Sequence, residues 1–404
     1  MNDIVIIGGG ASGMTAAIIA ARKNKKVTIL EKNDKLGKKI LVTGNGRCNY
    51  FNEEINISHY HSDNEEDLKN IITKENKEKV ISFFDSLGII PKIKNGYYYP
   101  ITKEATTILN ALTYEIKRLN IKVITNTEVT EIKKEDYFII NPNKENIKAK
   151  KIIITTGSKA APKTGSDGMG YSLAKSLNHT IIDPKPALVQ LKGKGDYFNK
   201  WNGIRVEATL SLHEDDKFIK EETGELQLTD YGISGIVTFN LSRYIARNIN
   251  NHKETININF MPWLNEDPHK WLKKQIINLN LPITETLERF LNYKLVNIIL
   301  KKSNIKTNDW NKINDKEFSN IIKNLTKFEI EIESVNSFDK SQICSGGIPL
   351  PEINLKTMES LKTKDLYFAG EIIDIDGDCG GYNLGFAWIS GIISGENIWL
   401  ELDK

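Results

Sequence analysis

Ile4-Val5-Ile6-Ile7-Gly8-Gly9-Gly10-Ala11-Ser12-Gly13 is an apolar, β-branched run of strand length that passes directly into three glycines at G-x-G-x-x-G spacing. An alanine-rich stretch at residues 16–21 and a second apolar run at residues 27–30 follow, and Glu31 comes directly after that run. Strand, helix and second strand in this order, with an acid at the tip of the second strand, predict a βαβ unit that binds a dinucleotide.

Each part of this unit has a physical role. Gly8 permits a tight turn, Gly10 lets the backbone approach a pyrophosphate, and Gly13 lets the helix pack closely on the strand. The first turn of the helix offers free N–H groups and the positive end of the helix dipole. The Glu31 carboxylate suits the two hydroxyls of an adenosine ribose and disfavours a 2′-phosphate. A plain glycine-rich turn is the alternative interpretation. If the unit binds a dinucleotide, the candidate ligands are Gly8, Gly10, Ala11, Ser12, Gly13 and Glu31.

The composition is that of an ordinary globular protein with room for two or three domains. Of 404 residues, 40% are hydrophobic and 26% charged, and 55 basic against 52 acidic residues give a net charge of +3. This balance gives no electrostatic basis for nucleic-acid binding. Met1-Asn2-Asp3 leads straight into the first strand and no apolar run reaches the roughly 18 residues of a membrane helix, so we expect a cytoplasmic protein.

A compact polar loop follows the βαβ start at Thr43-Gly44-Asn45-Gly46-Arg47-Cys48-Asn49. Its donors suit a phosphate or the polar edge of a ring, and a simple turn is the alternative. With the residues before it, the loop reads G-K-K-I-L-V-T-G-N-G-R-C-N, which closely resembles the signature loop of the BaiN/YhiN-type flavoproteins, often labelled NAD(P)/FAD-dependent oxidoreductases, some of which are called aminoacetone oxidases. The resemblance implies that the loop lies along a flavin, and it adds the candidate FAD ligands Lys32, Lys39, Gly44, Asn45, Gly46, Arg47, Cys48 and Asn49.

The order of the later motifs resembles that of flavoproteins of the glutathione-reductase type. There, a strand such as residues 152–154 ends beneath the cofactor, and a Gly-acid pair such as Gly370-Glu371 follows a buried strand at the ribityl chain. The N-terminus of the last helix points at the flavin pyrimidine, where a positive dipole end stabilises negative charge on the reduced ring. The resemblance implies further ligands: Val129, Thr156, Gly157, Gly370, Glu371, Asp376, Gly380, Gly381, Tyr382 and Asn383.

The predicted fold class is α/β. A Rossmann-like FAD-binding domain of the glutathione-reductase type is split between residues 1–186 and 341–404. Residues 187–262 contain short alternating runs that predict an inserted antiparallel β-barrel or sheet, closed by Thr255–Phe260. Residues 263–340 are predicted to form an inserted helical domain, whose role is capping, solubility or covering the substrate side of the flavin.

Other groups of residues do not point to a specific function. Gly96-Tyr97-Tyr98-Tyr99-Pro100 is either an aromatic pocket lining or an edge strand. His59-Tyr60-His61 has no metal-ligand spacing, and the acids Asp374, Asp376 and Asp378 do not match an EF-hand loop, so no metal is predicted. The cysteines contain no C-x-x-C pair and are expected to be thiols: Cys48, Cys344 and Cys379.

The predicted function is that of an FAD-dependent oxidoreductase that transfers hydride through its flavin to or from an unidentified small molecule, with NAD(P)H as a transient co-substrate. No catalytic residue is assigned; Arg47 either binds cofactor phosphate or stabilises the reduced flavin or an anionic substrate. One alternative is an FAD-containing RNA-modifying or RNA-binding protein, and another is a flavin-dependent sensor. We expect no nucleic-acid partner and no membrane association, and the oligomeric state is not indicated.

Overall fold

The structure, a computed structural model, describes residues 1–142, 145–249 and 251–399. The chain divides into two compact units, unit 1 with Met1–Lys185 and the chain from Ser341 onward, and unit 2 with Pro186–Lys340. The division of the inserted residues into a β domain and a helical domain at residue 262 stays a prediction, and residues 400–404 of the predicted FAD domain lie outside the described residues.

Strands and helices alternate through unit 1 and separate into blocks in unit 2. The strands are β1 (Asn2–Ile7), β2 (Val27–Leu30), β3 (Phe51–Asn52), β4 (Tyr60–His61), β5 (Pro91–Lys94), β6 (Tyr97–Pro100), β7 (Lys122–Ile124), β8 (Val129–Lys134), β9 (Phe138–Pro142), β10 (Ile147–Ile154), β11 (Ile182–Ala187), β12 (Leu191–Gly193), β13 (Arg205–Glu214), β14 (Lys217–Thr229), β15 (Gly232–Ser234), β16 (Glu254–Asn259), β17 (Phe328–Val335), β18 (Ile343–Gly347), β19 (Ile353–Asn354), β20 (Glu359–Ser360), β21 (Leu366–Phe368) and β22 (Asp376–Gly377). The helices are α1 (Ala11–Ala21), α2 (Lys38–Val42), α3 (Lys74–Ser86), α4 (Ala105–Arg118), α5 (Met169–Ser176), α6 (Phe198–Trp201), α7 (Ile236–Asn248), α8 (Pro268–Leu279), α9 (Ile283–Leu287), α10 (Tyr293–Lys302), α11 (Asp315–Thr326) and α12 (Tyr382–Asn397).

Unit 1 is built on a mixed sheet in the order β19-β20-β21-β10-β1-β2-β7, with the β8–β9 hairpin joined to β10. The strands from β21 to β7 are parallel to their neighbours. Their β-branched runs are buried, as expected for parallel strands covered by helices. The predicted Rossmann-type α/β fold is confirmed, and it joins the two ends of the chain, because β21 pairs with β10 and β10 with β1.

Helix α1 packs on α12 through glycines. A Cβ on Gly391 would lie 2.7 Å from the Ser12 carbonyl oxygen, and a Cβ on Gly395 would lie 2.7 Å from that of Ala16. The helices therefore run parallel with their backbones in close approach. Because α1 lies between the sheet and α12, it is apolar on nearly every side, which explains its alanine-rich sequence.

Two small sheets complete unit 1. Strand β6 is the central strand of the sheet β3-β6-β5, so the tyrosine run is not an edge strand. Strand β4 pairs with β22, with His61 opposite Asp376. This pairing places the segment after β3 beside the segment that leads into α12.

Unit 2 contains a closed barrel in the order β12-β15-β14-β13-β16-β17. The prediction that Thr255–Phe260 closes the β structure is wrong, because β17 closes the barrel by pairing with both β16 and β12. Phe328, Ile330 and Ile332 alternate along β17 and are buried. Strand β17 was not predicted because it follows a long helical stretch, which was interpreted as a separate helical domain. Side chains from these helices share one apolar core with the barrel.

Within the described parts of the chain, no helix is both long and apolar enough to cross a membrane.

We predict that Gly391→Ala destabilises the protein. The new methyl group must push α1 and α12 apart, which costs about 1–3 kcal/mol, whereas the gain in helix propensity returns only about 1 kcal/mol. Denaturant unfolding of the FAD-free protein should show a net loss in free energy of unfolding. The control is Asn110→Ala on the exposed face of α4, which should change stability by less than about 0.5 kcal/mol. A Gly391→Ala protein as stable as the wild type would show that the helices are not in close contact.

Candidate dinucleotide site

The carboxyl ends of four parallel strands meet at one edge of the sheet. Ile7 is aligned with Leu30 and Ile154, and Ile154 is aligned with Phe368. The residues just beyond these strand ends are those that the sequence selected as ligands: Gly8, Glu31, Thr156, Gly157, Gly370 and Glu371. Ligands of open parallel sheets bind in the crevice outside this edge.

The three glycines of the first motif have different surroundings. Gly8 has a φ of 105°, and a Cβ there would lie 2.6 Å from the Thr155 carbonyl oxygen. A Cβ on Gly13 would overlap the carbonyl oxygen of Gly8, so only glycine lets the helix approach the strand this closely. A Cβ on Gly10 would meet no protein atom within 4 Å. Gly10 therefore opens the start of α1 to a ligand, whereas Gly8 and Gly13 serve packing.

The start of α1 also satisfies the requirements for an anion. Gly10 is the N-cap residue, no side chain caps the helix, and the first turn contains no acid. The free N–H groups and the positive end of the dipole therefore point outward. Ser12 is turned away from this opening, since its hydroxyl donates to the Ala369 carbonyl at 3.2 Å.

The Glu31 carboxylate is held in place by backbone and side-chain donors. It is buried, Oε2 accepts from the Gly9 N–H at 2.8 Å, and Oε1 accepts from the Asn33 N–H at 2.8 Å and from Asn33 Nδ2 at 2.7 Å. Each carboxylate oxygen keeps acceptor capacity beyond these bonds. The fixed orientation suits recognition of a ribose diol beside the glycine turn.

The polar loop at residues 43–49 has the backbone of an anion-binding or ring-binding turn. Gly44, Asn45, Gly46 and Cys48 all have positive φ values, between 53° and 78°. Residues 44–47 are exposed, including the Arg47 side chain, whereas Cys48 is buried. Burial raises the pKa of the Cys48 thiol to about 12, although a hydrogen bond with Thr43 opposes the shift. Cys48 is therefore a packed, protonated thiol.

The N-terminus of α12 lies against this loop. Gly381 caps the helix with a φ of 94° and no side-chain hydrogen bond, and a Cβ there would lie 2.7 Å from the Phe51 carbonyl oxygen and 3.0 Å from Asn49 Oδ1. Gly380 is fixed by a 2.8 Å hydrogen bond from Asn52 Nδ2 to its carbonyl oxygen. A second uncapped helix start thus faces the same region as the polar loop.

The two helix starts are staggered. The contact at Gly391 lies nine residues into α12 but, at Ser12, only one residue into α1. At a rise of 1.5 Å per residue, α12 therefore begins about 12 Å beyond the start of α1. Two positive helix ends at this separation suit the two ends of an extended diphosphate-linked ligand.

Several predicted ligands have protein partners. Lys39 Nζ lies 2.7 Å from Glu371 Oε2, whose carboxylate also accepts from Ser158 Oγ at 2.6 Å and from the Cys344 N–H at 2.9 Å. Lys32 pairs with Asp167. The remaining members lie as follows: Asn383 exchanges hydrogen bonds with the Gly377 backbone, Asp376 is buried in β22, Val129 is the buried first residue of β8, and Tyr382 is the buried first residue of α12. Their roles as FAD ligands stay predictions.

Two buried polar atoms at this edge fit an FAD molecule. Among the described residues, Thr156 Oγ1 and Asn49 Oδ1 are buried without a hydrogen-bond partner. A buried polar atom left unpaired costs free energy, so a ligand that supplies partners stabilises the site. Thr156 follows β10 near the glycine turn, and Asn49 lies at the start of α12. Together with the opening at Gly10, these atoms fit a ligand with polar groups at both ends.

The sequence analysis missed a paired histidine cluster next to α12. His59 Nδ1 lies 3.1 Å from Asp378 Oδ2, and His61 Nε2 lies 3.0 Å from Asp378 Oδ1. The His59 ring also stacks on Tyr382, with ring centroids 4.5 Å apart. Both histidines contact the same carboxylate, which lies more than 300 residues away in the sequence and has no local signal. In the described portion of the chain, no group of three His, Cys, Asp or Glu side chains has the geometry of a metal site.

The family model described as HI0933-like protein Rossmann domain matches residues 2–397. The chain is similar to the 3-dehydro-bile acid delta(4,6)-reductase of Clostridium scindens, with 38% identity and coverage of 98% of each chain. It is also similar to the ribosomal RNA dihydrouridine synthase of Haemophilus influenzae, with 26% identity and 96% coverage of each chain. The solved 3-ketosteroid-delta4-(5alpha)-dehydrogenase from Rhodococcus jostii RHA1 shares the fold, with a TM-score of 0.50, 14% identity, and coverage of 99% of this chain and 97% of that one.

We predict that Gly10→Val lowers FAD affinity about 100-fold without unfolding the protein. The backbone of Gly10, with a φ of −81°, accepts a β-branched residue, and the side chain enters the opening at the start of α1. Fluorescence titration of the FAD-free protein measures the affinity. The control is Asn110→Val, which places the same side chain on the exposed face of α4 and should leave the FAD affinity unchanged. Equal FAD affinities in Gly10→Val and the wild type would exclude this opening as the diphosphate site.

We also predict that the three cysteines react slowly with alkylating reagents in the native protein. Burial is the main cause that raises the thiol pKa from 9.0 to about 12 at Cys48 and to about 11 at Cys344 and Cys379. A rise of two to three units lowers the thiolate fraction at pH 8 by about 100- to 1,000-fold. Iodoacetamide labelling followed by mass spectrometry should show rapid modification only after denaturation. Native labelling of any of them at the denatured rate would contradict the burial described here.

Proposed function

The chain belongs to the HI0933-like Rossmann family and is an FAD-dependent oxidoreductase, and we propose that it reduces a carbon–carbon double bond conjugated to a carbonyl group. The observation that carries the cofactor site is the meeting of four parallel strand ends and two staggered, uncapped helix starts at one edge of unit 1. When bound there, FAD supplies two-electron hydride chemistry.

The residues of the chain bind and orient the cofactor in this proposal. The start of α1 takes the diphosphate, Glu31 accepts the hydroxyls of the adenosine ribose, and Gly370 lets the ribityl chain pass close to the backbone. The start of α12 stabilises negative charge on the pyrimidine edge of the reduced ring. The loop at residues 43–49 would lie along the ring, with Arg47 as a donor and the unpaired Oδ1 of Asn49 as an acceptor.

The reaction type is supported by the names of two relatives. The relative from C. scindens is named for reducing a steroid acid that has a 3-oxo group and double bonds at positions 4 and 6. The relative from H. influenzae is named for making dihydrouridine, and the double bond of the uridine ring is conjugated to a carbonyl. Both names are consistent with the reduction of a carbon–carbon double bond that is conjugated to a carbonyl group. The same reaction type at this chain's flavin is therefore the simplest common function.

The proposed electron donor is NAD(P)H, which binds transiently. Transient binding is supported by the glycine spacing. The G-x-G-x-x-G unit of β1 and α1 is assigned to FAD, and the later glycines at residues 165–170 lack the spacing of a second dinucleotide unit. The choice between NADH and NADPH is left to experiment. The substrate is proposed to be a small molecule.

The RNA-modifying alternative is supported by the name of the H. influenzae relative. The net charge of +3, spread over 55 basic and 52 acidic residues, does not favour a polyanion. The absence of a nucleic-acid partner stays a prediction, and a dihydrouridine product from RNA would establish the alternative.

We expect the purified protein to be yellow and its flavin to be bleached anaerobically by NADH or NADPH. Addition of 2-cyclohexen-1-one should restore the oxidised spectrum and yield cyclohexanone, because hydride passes to the β-carbon of the enone. The control is cyclohexanone, which has the carbonyl but no conjugated double bond and should not reoxidise the flavin. Reoxidation by oxygen or ferricyanide but by no enone or uridine-containing RNA would contradict the proposed reaction.

A further inference from the structure

A cavity of about 560 Å³ opens beside the start of α12. It lies wholly within unit 1, and the residues that matter for its chemistry are Asn52, Glu53, Glu54, His59, Tyr97 and Tyr382. The cavity borders the proposed flavin site, because Tyr382 is the first residue of α12 and Asn52 hydrogen-bonds the Gly380 carbonyl. Its volume is that of a small-ligand pocket.

Inside the cavity, one histidine is held in a fixed orientation. Asp378 Oδ2 binds Nδ1 of His59 at 3.1 Å, and the flat face of the ring stacks on Tyr382 at an interplanar angle of 16°. Asp378 is itself fixed, since its side chain is buried and its other oxygen binds His61. In the described part of the chain, no hydrogen bond engages Nε2 of His59, and its side chain is 29% exposed. A carboxylate-oriented imidazole with a free Nε2 can exchange a proton with a ligand in the cavity.

The other groups in the cavity are poorer proton donors. Burial raises the pKa of both Tyr97 and Tyr382 above the ordinary phenol value. Glu53 and Glu54 are exposed, so neither carboxyl group is held in a fixed orientation within the cavity. Histidine is the side-chain type that changes its charge in the neutral range, so His59 is the suitable acid.

We propose that this cavity binds an uncharged α,β-unsaturated carbonyl compound and that His59, positioned by Asp378, delivers the proton that completes its reduction. This inference rests on the proposed function. A reduced flavin bound beside the cavity would supply a hydride to the β-carbon, and the π-electron pair of the double bond would shift toward the carbonyl oxygen to form the enolate. The Nε2–H of His59 then protonates the α-carbon, and His59 regains its proton from solvent. The substrate gains two electrons and two hydrogens, and the flavin loses the same two electrons.

The rim charges define the class of ligand. Glu53 and Glu54 are exposed residues of the cavity lining, and their carboxylates repel an anionic ligand that enters the cavity. A neutral enone should bind at least tenfold more tightly than an enone of similar size that carries a carboxylate. The double variant Glu53→Gln/Glu54→Gln should reduce the ratio between the affinities for the neutral enone and the carboxylate-bearing enone.

The test is a single-turnover reaction of the FAD-loaded protein, reduced anaerobically with dithionite and mixed with 2-cyclohexen-1-one. For the wild type, we expect flavin reoxidation to slow as pH rises, because the protonated imidazole is the donor. In His59→Gln the rate should fall at least 100-fold and lose this pH dependence. Reoxidation by ferricyanide should be unchanged, because that acceptor needs no proton on carbon. The matched control is His269→Gln, an exposed histidine of unit 2, which should behave as the wild type.

Further measurements separate a chemical role from a structural one. The dissociation constant of the enone, read from the spectrum of the oxidised flavin, should stay within threefold in His59→Gln. Imidazole added to His59→Ala should restore part of the rate. The same variant should reduce 2-methyl-2-cyclohexen-1-one to a product with mixed configuration at the α-carbon, whereas the wild type should give a single configuration. Asp378→Asn should shift the pH profile, as expected for a positioning residue.

Two results overturn the proposal in distinguishable ways. If His59→Gln reacts with the enone within threefold of the wild-type rate at every pH, the role of His59 is wrong and the proposed function stands. If the reduced wild type reacts with ferricyanide but with no enone, the proposed function is wrong and the role of His59 falls with it.

Discussion

The close parallel contact between α1 and α12 is the constraint on which the site depends. Gly391 and Gly395 let the last helix touch the backbone of the first, and the pairing of β21 with β10 and of β10 with β1 holds the two chain ends in one sheet. Because the helices are parallel, both of their N-termini point to the same side. Because they are staggered by about 12 Å, the two helix starts have the spacing that the proposed function requires for a diphosphate at one start and a flavin ring at the other.

Much of unit 1 could be predicted from local sequence. The glycine spacing, the β-branched strands and Glu31 lie within one continuous βαβ unit, so the motif alone positions them. The different surroundings of Gly8, Gly10 and Gly13 agree with the separate roles inferred from their spacing. The family resemblance drawn from the loop at residues 37–49 is confirmed by the family model that matches residues 2–397.

What could not be predicted depends on contacts between distant segments. Asp378 meets His59 because β22 pairs with β4, a register that no local pattern encodes. Strand β17 is separated in the sequence from the other barrel strands by helices. Its alternating apolar residues therefore did not indicate that it pairs with β12 and β16. The glycines of α12 look like poor helix formers in sequence, and only the contact with α1 explains them. Glycines within a helix can be interpreted only when the helix that packs against them is known.

The chemical character of the site follows from which groups are fixed and which are free. Glu31, Glu371 and Asp378 are each held by at least two donors or ring nitrogens, so their carboxylates are part of the scaffold. Cys48 and Cys344 are buried, and burial raises the pKa of all three thiols, so the protonated form of each is favoured at neutral pH. The cofactor and the open cavity beside α12 are left to carry the reaction.

Hydrogen exchange of the FAD-free protein, measured with and without one equivalent of FAD, tests the central claim most directly. If a single extended FAD bridges both ends of the chain, one equivalent should protect residues 8–13 and residues 380–383 together and to the same saturation point. Protection of only one segment, or of the two segments at different FAD concentrations, would contradict a single cofactor held by both helix starts.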